Sequence, residues 1–335
     1  MKKIYELLND AEMNLDKYEN QKLSDYEILK TKKRILEEIR KMNKRRKKIK
    51  VSIAVACACV FVNIGSVSVA AAMGLLPVPD SLKKVFGIDS EKEMEVANDI
   101  GSGLDVSAEN CGYKITAEGV LKDSKHISVV YKVEKADGSS LDEKNRVCTN
   151  VNFGECKYNA SLSGGLYDIV ENSNNSESLE FYESLTFRED INDTMKVSFK
   201  DMRLCFGKEI IDVDGSWELE IPLKDMDNSQ NFAHGQKIEI GKNKGRIDEL
   251  VFSSIGYSIR ITSSEELSKN DIVRSVDGTH ILVLKDGKRI ELGGGTWIQD
   301  NGDKTWSFCL SGFYGEIIRI EDIDRIILGD CEIVC

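Results

Sequence analysis

Three rhythms of apolar and polar positions succeed one another along the chain. In the first, Ile28, Ile35 and Met42 recur at seven-residue spacing with Leu36 and Ile39 on the same flank, an apolar stripe at helical period. Ser24 followed by Glu27 fits a capping box opening that helix, and no Gly or Pro before Gly65 interrupts it. In the second, Val51 to Leu76 are apolar or small throughout, apart from a few serines and Asn63. In the third, beyond Asp80, apolar residues alternate with polar ones: Ile127, Val129, Tyr131 and Val133; then Met195, Val197 and Phe199; then Met202, Leu204 and Phe206. That period belongs to half-buried antiparallel strands. Asp137-Gly138, Asp214-Gly215, Asp277-Gly278 and Asp286-Gly287 read as hairpin dipeptides between strands.

The predicted fold is therefore a short α-helical cytoplasmic segment, one transmembrane helix and an all-β ectodomain of two immunoglobulin-like β-sandwich units, with no helix of convincing length after Asp80. The boundaries fall at 1–50 for the cytoplasmic segment, 51–76 for the span and 77–224 for the first β-domain. A linker over 225–235 follows Pro222, and 236–335 form the second β-domain. The polar stretch Glu171 to Ser178 reads as a surface loop of the first unit.

Charge sets the topology. Residues 1–50 hold 16 basic and 9 acidic side chains, Val51 to Pro79 hold none, and the remainder holds 30 basic against 48 acidic. As a helix, Val51 to Leu76 reaches about 39 Å, enough to cross a hydrocarbon core roughly 30 Å thick. Just before it stand Lys44, Arg45, Arg46, Lys47, Lys48 and Lys50, a basic flank that stays cytoplasmic and faces anionic lipid. The expected location is the plasma membrane, single-pass, with the N-terminus inside and the C-terminus outside. A cleaved signal peptide is the competing reading, since Val69 to Ala72 are small, but fifty charged residues ahead of the apolar core far exceed a signal n-region.

A stripe on so short a cytoplasmic piece has no core of its own to cover. It pairs with Ile4, Leu7, Leu8 and Leu15 of a first helix, or it docks on another protein through Ile28, Leu29, Ile35, Leu36, Ile39 and Met42. Direct nucleic-acid binding is not expected, because the basic run abuts the membrane and lacks interleaved aromatics. No catalytic residue, cofactor or metal site is expected, and the chain is not read as an enzyme. His126, His234 and His280 stand isolated in sequence, and no H-E-x-x-H, G-x-S-x-G or phosphate-loop pattern occurs. Asp212 to Glu218 lacks the spacing of a calcium loop and reads as a hairpin turn. Gly293, Gly294 and Gly295 read as a bulge or turn. The seven cysteines beyond the span are an odd number, and unpaired thiols are favoured over bridges such as Cys148 with Cys156.

The opening M-K-K-I-Y-E-L-L-N-D, the basic stretch before a single span, and A-A-M-G-L-L-P-V-P-D-S-L-K-K-V-F-G resemble Gram-positive membrane proteins of the domain-of-unknown-function family 4179, often described as anti-sigma-factor-like. G-Y-K-I-T-A-E-G-V, I-S-V-V-Y-K-V, G-S-W-E-L-E-I-P-L and the closing I-I-R-I-E-D-I-D-R-I-I-L-G-D are similar to that family and to the β-domain commonly fused behind it. The resemblance implies a membrane-bound regulator that sequesters a cytoplasmic sigma factor through residues 1–50 and senses an unknown extracellular ligand through its ectodomain. The chain departs from better-known anti-sigma factors in lacking an H-x-x-x-C-x-x-C zinc motif in its N-terminal segment. The alternative is a surface-anchored extracellular binding or adhesion module without a cytoplasmic signalling role.

Overall fold

The computed structural model describes residues 76–171, 174–191, 193–223, 227–240, 243–264, 280–328 and 331–335. The predicted cytoplasmic helix and span lie outside these, apart from Leu76, which forms an antiparallel bridge with Gly103. No helix among the described residues is long and apolar enough to cross a membrane.

Two helices open the described chain where alternation is expected from Asp80 onward, a correction to the sequence reading. Helix α1, Asp80–Phe86, carries Asp80 in its first turn and Lys83 and Lys84 in its last, matching the helix dipole, and stops at Gly87 with φ +59°. Helix α2, Glu91–Ile100, opens on a reciprocal capping box between Ser90 and Glu93. Leu82 and Phe86, four apart, and Ala97 and Ile100, three apart, turn one face of each helix inward. These local start and stop signals, with apolar residues at helical spacing, decide the segment.

The remainder is mostly β, as the alternation predicts. In the first lobe, β1 (Gly101–Asn110), β2 (Tyr113–Lys122), β3 (His126–Lys135), β6 (Ser178–Phe187) and β5 (Leu162–Ile169) form one antiparallel sheet in the order β1-β2-β3-β6-β5. A second sheet, β4-β7-β8, comprises Asn150–Tyr158, Thr194–Phe206 and Glu209–Pro222. Ile115, Tyr131 and Phe181 from one sheet share a core with Val151, Phe199 and Trp217 from the other. The Tyr131 and Phe199 rings meet edge-on with centroids 5.2 Å apart. Aromatic pairs of this kind fill a sandwich core and add to its burial term.

In the second lobe, β10 (Lys237–Ile240), β11 (Asn243–Phe252), β12 (Gly256–Ser263), β16 (Trp306–Phe313) and β15 (Gly295–Asp300) pair in that order. The short β9, Gln230–Asn231, adds to β11. The companion sheet runs β14-β13-β17-β18, with β13 Ile281–Leu284, β14 Arg289–Glu291, β17 Ile323–Leu328 and β18 Cys331–Val334. Ile247, Leu250, Phe252 and Tyr257 pack there with Leu282 and Ile326.

The hairpin dipeptides divide. Asp286-Gly287 joins β13 to β14 as expected, with Gly287 at φ +88°. Asp137-Gly138 makes a turn after β3, but the strand that follows pairs with β7 and not with β3. Asp214-Gly215 lies inside β8, opposite Asp201, where the β7–β8 register slips between Lys200 and Met202. The bulge takes up residues that sequence alone assigns to a turn, and the actual hairpin is Gly207-Lys208. Asp277-Gly278 lies outside the described residues. All described residues belong to one compact unit. At its middle a third apolar cluster joins Val78, Leu82, Phe86 and Ile100 to Leu121 and Val130 of the first lobe and to Ile255 and Ile317 of the second.

Candidate functional site

The turn between β2 and β3 reaches across to the second lobe. Asp123, 1 % exposed, accepts hydrogen bonds from the backbone N–H groups of Lys125 (2.7 Å) and His126 (2.6 Å), from His126 Nδ1 (2.9 Å) and from the Ser253 hydroxyl. Burial pushes this carboxyl up, but the charge on His126 and the hydrogen bonds outweigh it and hold Asp123 below its usual range. His126 packs edge-on against Phe313 at 5.1 Å and places Nε2 3.0 Å from the Ser311 hydroxyl. A Cβ at residue 256 would lie 2.9 Å from the His126 ring, so only glycine admits the ring there. Beside this contact Lys125 pairs with Glu249, which also receives Arg260 at 2.6 Å and the Ser258 hydroxyl at 2.9 Å.

Asp123, His126 and Ser311 stand in the order of a hydrolytic triad, yet the protons are arranged for holding. Ser311 has one proton, and its oxygen lies 3.0 Å from the Tyr257 carbonyl, which only accepts. The hydroxyl therefore donates to Tyr257 and accepts from His126, the reverse of what a nucleophile beside a general base needs. Ser311 is also 1 % exposed. The chemistry of the cluster is that of a buried clasp between the lobes.

A cleft of ≈ 490 Å³ opens beside the clasp. Its walls are Val85 and Phe86 of α1, Gly164 to Leu166 of β5 with Tyr182 and Ser184 of β6, and Gly293 to Gly295 with Ser311 to Phe313 of β16. No Asp, Glu, Lys, Arg or His side chain lines it among the described residues. Gly293 and Gly294 lead into β15, which Gly295 opens, and a Cβ at 294 would fall 2.2 Å from the Ser311 carbonyl oxygen. A second concavity, ≈ 410 Å³, sits over the β7–β8 bulge among Asn152, Asp201 and Asp214, where Arg203 ties Asp212 at 2.7 Å.

The residues expected to bind a partner, Ile28 to Met42, and the basic flank Lys44 to Lys50 lie outside the described residues. The seven cysteines beyond the span are all free thiols, Cys148 and Cys156 included. The sequence reading treats His126 as isolated and misses its pairing with Asp123, for which the three-residue spacing is the one local signal. Ser253 and Ser311, 130 and 185 positions away from their partners, carry no such signal.

Residues 43–135 match the family described as a domain of unknown function (DUF4179). No curated protein matches the chain. Among solved structures, the chain is similar to one described as the crystal structure of the conserved domain protein from Bacillus anthracis. The two share 16 % identity at a TM-score of 0.45, over 72 % of this chain and 82 % of that one.

Proposed function

We propose that the chain is a membrane-anchored signalling regulator, anti-sigma-factor-like, whose residues 1–50 sequester a cytoplasmic sigma factor and whose two β-lobes sense the exterior. One observation carries this reading: α1, which follows the predicted span after a few residues, supplies Val85 and Phe86 to the wall of the junction cleft. A ligand in that cleft touches both lobes and the juxtamembrane helix at once, so its binding energy acts directly on the element leading to the membrane. Support also comes from the DUF4179 match, which spans the basic flank, the predicted span and the first three strands. The lining suits an uncharged ligand held through backbone groups and apolar walls.

The reading is tested by affinity purification of the tagged full-length protein from its native membrane, with mass spectrometry of what is bound. Recovery of a sigma factor that disappears when residues 1–50 are deleted supports it. Recovery of cell-wall or surface components alone favours the anchored binding module.

A further inference from the structure

The first lobe holds an ionisable group where its strand pattern calls for hydrocarbon. On β6, Leu179, Phe181, Leu185 and Phe187 face the sandwich core, and Glu183 takes the core position between Phe181 and Leu185, 4 % exposed. Its Oε1 accepts from the Tyr158 hydroxyl at 2.7 Å, while its Oε2 has no hydrogen-bond partner. The titratable groups around it are Tyr131 on β3, Cys156 and Tyr158 on β4, and Tyr167 on β5. None of these is a cation, and β7 presents Met195, Val197 and Phe199 to the same core. An ionised Glu183 would thus be a buried charge hydrogen-bonded by one neutral hydroxyl, with the neutral Tyr131 hydroxyl also facing it and no counter-ion, an arrangement that protonation relieves. Burial accordingly pushes its carboxyl up from 4.5 to about 7, against the pull of the tyrosine hydroxyls.

We propose that Glu183 is a proton-operated switch: its neutral carboxyl lets the sandwich close, and release of its proton to solvent loosens β6 from β4 and β5. The next two side chains outward, Tyr182 and Ser184, line the junction cleft on the opposite face of the same strand. A change in β6 therefore reaches the cleft wall in one residue. That this would change signalling rests on the regulator reading above; the proton linkage itself does not.

The sign follows from linkage. Because the folded carboxyl sits above its unfolded value, the native state binds the extra proton between the two values, and stability falls as pH rises through that interval. Glu118 is also raised, by burial and then by Glu180, while His280 is lowered by burial and acts in the opposite direction. The comparison is therefore wild type against Glu183→Gln, with Glu118→Gln as control.

The test is hydrogen–deuterium exchange of the full-length protein in detergent micelles, following peptides from β4 to β6 between about pH 5 and 9, corrected for the intrinsic pH dependence of exchange. The opening constant of wild type should rise about tenfold per pH unit up to about pH 7 and level off above it, and Glu183→Gln should abolish that rise while Glu118→Gln keeps it. Tyr158→Phe keeps the carboxyl but removes its donor, and should move the transition to higher pH. An unchanged rise in Glu183→Gln, or no movement in Tyr158→Phe, overturns the proposal. Neither readout involves a cytoplasmic partner, so such a failure leaves the regulator reading standing, and loss of the sigma factor from purification leaves the proton switch standing.

Discussion

At the scale of single residues, the junction depends on Asp123. Removing its carboxyl takes the acceptor from His126 and from two backbone N–H groups at a buried position and leaves the Ser253 hydroxyl only the Gly256 carbonyl. Asp123→Ala should therefore cost about 3–5 kcal/mol, the range for breaking a buried charged pair from one side. Ser311→Ala, which deletes a single hydroxyl, should cost about 1 kcal/mol. Denaturant unfolding of the full-length protein checks the ratio, and equal small losses for the two variants would contradict the assignment of the clasp to Asp123. The sequence reading leaves His126 isolated, although Asp123 stands three residues before it. Ser253 in the β11–β12 turn and Ser311 on β16 become partners only because β12 and β16 are adjacent strands and the β2–β3 turn reaches them. Glu183 was hidden for a different reason: alternation along β6 predicts where a side chain points, but nothing local says that its neighbour across the core is a tyrosine.

At the scale of elements, the two helices at 80–100 rest on capping chemistry more than on length. The Ser90 hydroxyl accepts from the Glu93 N–H at 3.2 Å and the Glu93 carboxylate accepts from the Ser90 N–H at 2.9 Å. Those bonds hold the Glu93 carboxyl below its ordinary value. Ser90→Ala should destabilise α2 by about 1 kcal/mol and raise exchange at its first turn, read by hydrogen–deuterium exchange of the peptide covering Asp89 to Met94. Unchanged exchange would mean that the seam of Leu82, Phe86, Ala97 and Ile100 alone fixes the helices. The strands were more legible than the turns. Met195, Val197 and Phe199 against Met202, Leu204 and Phe206 show alternation with its phase slipped by one residue. The structure places the bulge at that slip, with Asp201 at φ +54°. An Asp-Gly pair marks a place where the backbone bends, and whether the bend is a hairpin or a bulge depends on the strand across from it.

At the scale of the whole molecule, the cleft, the clasp and α1 lie together at the seam between two β-lobes, and α1 begins at Asp80, shortly after the predicted span in sequence. The mostly-β architecture was legible from period-two alternation, because that pattern reports burial on one face of a sheet. The cleft was not, since it forms where β5, β6, β15 and β16 meet from distant parts of the chain. In the account proposed above, signals pass from this seam to the apolar stripe at Ile28, Leu29, Ile35, Leu36, Ile39 and Met42. The direct measurement is co-purification of a sigma factor with the full-length protein and with a Leu36→Glu, Ile39→Glu double variant at equal membrane abundance. The account predicts that wild type retains the sigma factor and the double variant loses at least about tenfold, the effect of removing roughly 1.4 kcal/mol of apolar contact. Equal recovery from both, or no sigma factor with either, would contradict it.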